Sequence, residues 1–205
     1  EKLLADLAKQ VERINELEEE IEKLDDDGLR AKTEELRALV QQRGRGDEET
    51  VNTAFAVLRE AVWRVLELWY FDVQLLGGLV LHSGRLAEMK TGEGKTIVAL
   101  LPAFLAALEE NGGVFVITPN DYLARRDAEN VGQVLRFLGV SVGLVQSTME
   151  IPERQEAYKC EVVYLTNAEL GFDYLRDNLA VYPHQVAQSK PFYFCLVDEA
   201  DSILI

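Results

Sequence analysis

From residue 84 onward, short apolar runs alternate with longer helical stretches, and this alternation leaves few folds open to the chain. Strands joined by helical crossovers form a parallel sheet with helices on its faces. Ligands of such sheets bind at the carboxyl ends of the strands, so a site is expected in the loops that follow them. The predicted strands cover residues 85–89, 114–118, 140–145, 162–166 and 192–197, and the predicted helices cover 95–108, 121–138, 152–158 and 167–178.

The first 70 residues follow a helical pattern instead. Apolar residues recur at spacings of three and four over residues 4–24, which is typical of a helix with one apolar face, and further helices are predicted over 29–42 and 48–69. The other faces of the first helix are acidic, whereas a membrane-surface helix usually carries Lys and Arg there. Packing in cis or against another chain is therefore favoured over lipid binding. We expect an N-terminal helical segment over 1–70 and an α/β domain over 71–205.

Composition narrows the classes of partner. The chain has 205 residues with 36 acidic and 21 basic side chains, a net charge of −15, which disfavours binding to nucleic acid or anionic lipid without excluding a local basic groove. No apolar run is long enough to span a bilayer. Cys160 and Cys195 are too few for a disulfide framework, and we expect two reduced, buried thiols. The chain opens on Glu1 without an initiator Met, as expected for a processed product or an excised piece.

A glycine-rich segment, Met-Lys-Thr-Gly-Glu-Gly-Lys-Thr at residues 89–96, is predicted to connect a strand to a helix. This is the context of a phosphate-binding loop. Gly92 and Gly94 would let backbone amides close around phosphate oxygens, while the N-terminus of the next helix adds partial positive charge.

The side chains of this segment fit the same chemistry. Lys95 can reach the β- and γ-phosphates of a nucleotide, and the Thr96 hydroxyl can bind Mg²⁺. Met89 stands where the general phosphate-loop pattern has its first glycine, but the shorter core from Thr91 to Thr96 is intact. A chance Gly-Lys-Thr in a loop is the alternative, and the predicted strand and helix on either side disfavour it.

A second segment places acids directly after the predicted buried strand 192–197. Carboxylates in that position are costly unless they meet a cation or another partner. Asp198 is placed to hold Mg²⁺ through water, and Glu199 to polarise the attacking water in phosphoanhydride hydrolysis. An acidic turn after a core strand is the alternative. Together with the glycine-rich segment, the acid pair favours a RecA-like P-loop NTPase domain.

Several longer strings indicate which kind of motor domain this is. They read Phe-Asp-Val-Gln-Leu-Leu-Gly-Gly at 71–78, Thr-Pro-Asn-Asp-Tyr-Leu-Ala-Arg-Arg-Asp at 118–127, and Thr-Asn-Ala-Glu-Leu-Gly-Phe-Asp-Tyr-Leu-Arg-Asp-Asn at 166–178. With the two motifs in this order, the chain resembles the SecA family of preprotein translocase motors over most of its length. Ala200 replaces the usual Val of Asp-Glu-Val-Asp, and Pro119 stands where many members have Val; we expect neither to alter the chemistry.

The resemblance implies an ATPase that uses ATP and Mg²⁺ to drive unfolded preproteins through a SecY-type channel. It further implies that Gln74 reads the adenine through its side-chain amide. By the same likeness, the phosphates and the metal are bound by Thr91, Gly92, Glu93, Gly94, Lys95, Thr96 and Asp198, with Thr96 and Asp198 at the metal and with Lys95 and Glu199 as the catalytic residues.

The resemblance also implies partners and compartments. The complete protein would contact an anionic membrane surface and could form a homodimer, and no nucleic acid is expected. Bacterial members work in the cytoplasm and on the inner membrane; plastid members work in the stroma at thylakoid or envelope membranes. The strings at 132–139 and 165–172 are similar to the cyanobacterial and plastid branch. Arg125 and Arg126 could face a channel partner, a second domain or solvent, and the sequence leaves these open.

Two other functions remain as alternatives: a DEAD-type RNA or DNA helicase built on the same motor domain, and a non-enzymatic interaction module. In the family, the arginine that stabilises charge on the γ-phosphate belongs to a second motor domain that this chain lacks. Such an arginine contributes about 10³–10⁵ in rate. We therefore expect these 205 residues alone to bind nucleotide weakly and to hydrolyse it hardly at all.

Overall fold

The computed structural model describes residues 2–110, 112–188 and 190–204, which form two compact units. The first unit holds the chain up to Glu110 together with Val134–Gly139, and the second holds the remainder. A domain boundary between residues 70 and 71 stays a prediction. None of the described helices combines the length and the apolarity needed to cross a bilayer.

The first unit is helical, and its helices begin and end where local chemistry favours it. Asp25 caps one helix by accepting a hydrogen bond from the Gly28 N–H, and Asp47 caps the next by accepting from the Thr50 N–H. Gly44, at a φ of 80°, ends the helix between them. The helices are α1 (Lys2–Glu16), α2 (Glu18–Glu22), α3 (Asp26–Arg43), α4 (Glu48–Leu66), α5 (Asp72–His82) and α6 (Lys95–Ala107).

The apolar stripe of the first predicted helix packs inside this unit. Val11, Ile14 and Ile21 are buried, α1 packs against α4 and α5, and α2 packs against α4. Packing in cis is therefore confirmed for this part of the stripe, although Leu4 remains 54% exposed. The prediction of one continuous helix is wrong, because the chain breaks at Leu17 between α1 and α2.

The strand predicted before the glycine-rich segment does not form. Residues 85–90 carry no regular secondary structure, and Leu86 is 79% exposed. A strand needs a neighbour whose backbone groups complete its hydrogen bonds. Every strand that the structure describes belongs to the second unit, so the first unit offers these residues no such neighbour.

The second unit contains the sheet. Its strands are parallel and lie in the order β2-β3-β1-β4, and helices flank them, so the predicted α/β fold behind an N-terminal helical segment is confirmed. The strands are β1 (Gly113–Thr118), β2 (Val142–Leu144), β3 (Val162–Thr166) and β4 (Phe192–Val197). The helices are α7 (Asp121–Asn130), α8 (Gly132–Phe137, which continues into the first unit), α9 (Ile151–Tyr158), α10 (Asn167–Leu179) and α11 (Ala200–Leu204).

The core of this unit lies on one face of β1 and β3. Alternate residues of a strand point to the same face, which places Phe115 and Ile117 beside Val163 and Leu165. Tyr158 of α9 packs against this face. Both strands are buried throughout, which explains their continuous apolar sequences.

β4 lies at an edge of the described sheet, and its burial differs from the prediction. Within β4, Leu196 alone is buried, because this strand pairs only with β1. Cys160 and Cys195 form no disulfide with each other, but Cys195 is exposed and Cys160 is only partly buried. The predictions of a buried strand before the acids and of two buried thiols are therefore wrong.

Candidate functional site

The glycine-rich segment forms a tight turn that leads directly into α6, as the sequence predicts. Gly92 and Gly94 adopt φ values of 85° and 78°, which glycine reaches without steric cost. The N–H groups of Ile97 and Val98 both donate to the Gly94 carbonyl and so close the first turn of the helix. In any helix the first amides have no acceptor within the helix, so this end of α6 is suited to an anion.

Glu93 shapes the turn through its own side chain. Its carboxylate accepts a hydrogen bond of 2.7 Å from the Lys90 N–H, and its N–H donates to the Lys90 carbonyl at 3.3 Å. The side chain therefore folds back onto the segment that precedes it. Glu93 can bind an anion through its backbone N–H. Its carboxylate cannot, because it carries the same negative charge as a phosphate.

Gln74 of α5 is held against this turn. The side chain is buried; its Oε1 accepts from the Phe71 N–H at 2.9 Å and its Nε2 donates to the Glu93 carbonyl at 2.8 Å. A Cβ atom on Gly94 would lie 2.5 Å from Nε2, so a side chain at this position would displace the Gln74 amide. The bond from Phe71 uses one of the two lone pairs of Oε1, and the bond to Glu93 uses one of the two N–H groups of Nε2. One lone pair and one N–H of the amide therefore remain for a ligand.

Tyr70 also contacts this helix, and sequence reasoning missed that role. Its hydroxyl donates to the Ile97 carbonyl in the first turn of α6, and its side chain is buried. A hydrogen bond to a carbonyl 27 positions away leaves no signal in the local pattern, so no feature of the sequence could have revealed it.

The acid pair stands at the carboxyl end of β4. The Asp198 N–H donates to the Ile117 carbonyl at 2.9 Å, which extends the pairing with β1 by one residue. The Glu199 N–H donates to Asp198 Oδ1 at 2.9 Å, and Glu199 has a φ of 51°. A non-glycine residue in the left-handed region is uncommon and strained, and such strain clusters at functional sites. α11 then begins at Ala200.

The model of the SecA DEAD-like domain family matches residues 1–205. The chain belongs to this family. It is 57% identical to the protein translocase subunit SecA of Trichodesmium erythraeum over 198 residues, which are 94% of the chain and 21% of that relative. The SecA of Prochlorococcus marinus is 56% identical over 201 residues (95% and 21%), and that of Carboxydothermus hydrogenoformans is 55% identical over 199 (97% and 22%).

Membership of the SecA family confirms the predicted RecA-like fold class, and it favours the interpretation as a translocase motor over the interpretation as a helicase. The chain spans about a fifth of the length of the curated relatives that it matches. The likeness covers nearly the whole chain, including the acidic N-terminal helices.

Within the SecA domain, the predicted site residues fall into two groups. Gln74 and the turn from Thr91 to Thr96 belong to the first unit, where hydrogen bonds bring Gln74 and Glu93 together. Asp198 and Glu199 belong to the second unit and are joined by their own hydrogen bond. That both groups act on one nucleotide stays a prediction.

The side chains of this SecA domain that could bind a metal are suited to Mg²⁺ bound together with a nucleotide. Among residues 2–110, 112–188 and 190–204, no three His, Cys, Asp or Glu side chains are grouped so that they could hold a metal. Mg²⁺ in nucleotide sites takes few protein ligands and completes its shell with phosphate oxygens and water. The Thr96 hydroxyl, at the start of α6, and the half-buried Asp198 carboxylate each offer the oxygen donor that Mg²⁺ prefers, and a single ion bound to both stays a prediction.

Proposed function

We propose that this chain is the ATP-binding part of a SecA protein-translocation motor, which couples ATP hydrolysis to the passage of unfolded preproteins through a SecY-type channel. The observation that carries the proposal is the turn of Gly92 and Gly94 at the start of α6, with the Gln74 amide anchored on it. Membership of the SecA DEAD-like family and the name "protein translocase subunit" printed for its relatives support it.

Each residue of the turn has a defined part in this function. The backbone amides around Gly92 and Gly94 bind phosphate oxygens, Lys95 places its ammonium on the β- and γ-phosphates, and Thr91 belongs to the same cradle. The free N–H and lone pair of Gln74 match the N7 acceptor and the N6 donor of adenine. Because the same Gln74 amide also donates to the Glu93 carbonyl, one side chain would contact both the base and the glycine-rich turn that binds the phosphates.

The acids supply the chemistry of hydrolysis. Thr96 and, through water, Asp198 would hold Mg²⁺, which when bound would neutralise charge on the phosphates. Asp198 keeps its carboxylate in place by accepting from the Glu199 N–H. Glu199, whose side chain is exposed at the end of β4, accepts a proton from the attacking water at its carboxylate. These roles rest on the family pattern and on the strained backbone at Glu199.

The partners and the compartment follow from the same proposal. The complete protein would bind unfolded preproteins, a SecY-type channel and an anionic membrane surface, and it could form a homodimer. The relatives come from cyanobacteria and another bacterium, which favours the bacterial cytoplasm and inner membrane, with the plastid stroma as the second setting. A DEAD-type helicase remains the alternative function, and RNA stimulation of the ATPase would support it.

Loss of Lys95 tests nucleotide binding directly. Lys95→Ala removes the cation that meets the phosphates. We expect nucleotide affinity to fall about 100-fold or more, which is a loss of about 2.8 kcal/mol or more of binding free energy at 1.4 kcal/mol for each factor of ten. The measurement is a titration with a fluorescent ATP analogue in the presence of Mg²⁺. Lys90→Ala is the matched control, because Lys90 is an exposed lysine of the same segment that the proposal assigns no phosphate. Equal affinities for Lys95→Ala and the wild type would refute the proposed site.

A further inference from the structure

Arg126 and Asp127 form an ion pair that none of the functions above uses. Both lie in α7, which is separated from the end of β1 by two residues and is capped by Asn120, whose side chain accepts from the Leu123 N–H. The Asp127 side chain is 4% exposed, whereas the Arg126 side chain is 39% exposed. Arg126 Nε and Nη2 each lie 2.8 Å from Asp127 Oδ1. The buried carboxylate therefore holds the guanidinium head in one place near the surface.

The topology brings this ion pair to the end of the sheet where Asp198 stands. Asp198 follows β4 and bonds through its N–H to Ile117, the penultimate residue of β1. α7 follows the same end of β1 and packs against β1, β2 and β3. Arg126, Asp127 and Asp198 are therefore all carried by elements that meet at one strand end.

The electrostatics of the three groups agree with this placement. The hydrogen bond and the charge of Asp127 raise the pKa of Arg126, and the charge of Asp198 raises it further. Burial raises the pKa of Asp127, and the Asp198 carboxylate adds to that effect by repulsion. The charge of Asp198 thus favours the charged arginine and disfavours the charged form of the buried acid, while the guanidinium itself is paired with Asp127.

We propose that Arg126 is a positioning residue for Asp198: held by Asp127, its guanidinium balances part of the Asp198 charge and so sets how strongly Asp198 attracts the Mg²⁺ that accompanies the nucleotide. The inference rests on the proposed function, because it requires a nucleotide with its metal at Asp198. It assigns one of the two arginines left open by the sequence. The other, Arg125, donates from Nε to Gln146 Oε1 at 3.1 Å.

The arrangement makes the two members of the ion pair act in opposite directions. Removing the charge of Arg126 leaves Asp198 more negative, so Mg²⁺ binds more tightly. Removing the charge of Asp127 releases Arg126 to pair with Asp198, so Mg²⁺ binds more weakly. An ion pair that only stabilised α7 would shift both variants in the same direction, since loss of either partner would loosen the same helix.

The test measures the Mg²⁺ concentration at which half of a fluorescent ADP analogue is bound, with a parallel titration in EDTA. It uses the 205-residue chain and a full-length relative into which this chain has been substituted. We expect Arg126→Gln to lower the half-saturating Mg²⁺ concentration about threefold and Asp127→Asn to raise it about threefold. The double variant, which carries no net change in charge, should lie near the wild type, and Arg126→Lys should lie near it as well. The affinity in EDTA should be unchanged throughout.

The inference is overturned if both single variants shift the Mg²⁺ dependence in the same direction, or if neither shifts it. Circular dichroism and thermal melts establish that each variant is folded; should Asp127→Asn fail to fold, the contrast between Arg126→Gln and Arg126→Lys carries the test. A wild-type protein that binds no nucleotide would refute the proposed function, and the inference would fall with it. A wild type that binds nucleotide with variants of unchanged Mg²⁺ dependence would refute the inference alone.

Discussion

Among single residues, His82 shows how burial alters protonation. It is the last residue of α5 and lies edge-on to Phe55, with ring centroids 6.5 Å apart. Burial lowers the pKa of His82 to about 4, and the charge of Arg45 acts in the same direction. The imidazole is therefore neutral in the folded protein at pH values where the unfolded chain, with a pKa of about 6.5, is protonated.

This difference in pKa makes stability fall with acidification. The unfolded state binds the proton first as pH falls through about 6.5, so the contribution of His82 is lost between about pH 6.5 and 4. We expect the free energy of unfolding to lose about 2 kcal/mol between pH 7 and 5 through His82 alone. Urea unfolding of the wild type and of His82→Gln at both pH values measures the part of the pH-dependent loss in unfolding free energy that is due to His82. His184→Gln, which changes the other, exposed histidine, should keep the wild-type dependence; a His82→Gln variant that also kept it would contradict the assignment.

Between elements, α5 and α6 approach so closely that one glycine is obligatory. A Cβ on Gly78 would lie 2.5 Å from Leu101 Cδ1 and 2.9 Å from Leu101 Cβ. A Cβ on Gly77 would meet Val98 Cγ1 at 3.4 Å, an ordinary contact. The two adjacent glycines of the Gln-Leu-Leu-Gly-Gly string therefore differ: one permits helix packing, and the other is under no such constraint.

The two glycines should respond differently to alanine. Gly78→Ala forces Leu101 from its position, and overpacking of this kind costs about 1–3 kcal/mol. Gly77→Ala should be neutral or stabilising by up to about 1 kcal/mol, because alanine is the better helix former. Chemical denaturation of the two variants makes the comparison. Equal stability of the two variants would show that Leu101 moves aside at little cost in free energy and would contradict the prediction.

A buried ion cluster joins α9 to α10. Arg154 of α9 contacts Asp173 at 2.9 Å and Glu169 at 2.6 Å, and it also donates to the Met149 carbonyl. Asp173, which is fully buried, accepts from the Tyr158 hydroxyl as well. The cluster thus ties two helices and a loop within the second unit.

Removal of one charge from this cluster should be costly. Arg154→Met leaves Asp173 buried without its buried cation, and breaking such a pair costs about 3–5 kcal/mol. Arg176→Met is the matched control: Arg176 contacts the same Asp173, but its side chain is 53% exposed, and exposed pairs contribute about 0–1 kcal/mol. The free energy of unfolding from denaturant titration distinguishes the two. A loss below 1 kcal/mol for Arg154→Met would argue that the cluster relaxes on mutation.

At the scale of the whole molecule, the chain corresponds to about a fifth of its SecA relatives. The resemblance assigns the arginine that meets the γ-phosphate to a second motor domain outside this chain. Nucleotide binding and hydrolysis should therefore separate between the 205-residue chain and a complete translocase.

We expect the isolated chain to release phosphate from ATP about 10³-fold or more slowly than a complete SecA protein, because the arginine is missing. Preprotein and channel-containing membranes should stimulate the complete protein and leave the isolated chain unchanged. In the complete protein, Glu199→Gln should bind ATP without turning it over, since the base is lost while the shape is kept. Turnover by the isolated chain at the full rate, or an unchanged rate for Glu199→Gln, would show that these roles are wrongly assigned.

Local pattern was enough to predict the helices around Val11 and Val51, the start of α6 at Lys95, the parallel strands β1 and β3, and the glycine-rich turn before α6. These depend on the spacing of apolar residues, on capping groups and on glycine, all of which act over a few positions. Tertiary structure decided the rest: the absence of a strand at 85–89, the exposure of β4 and the anchoring of Gln74 on Glu93. Strand pairing, burial and long-range hydrogen bonds depend on which distant residue becomes a neighbour, and no local pattern specifies that.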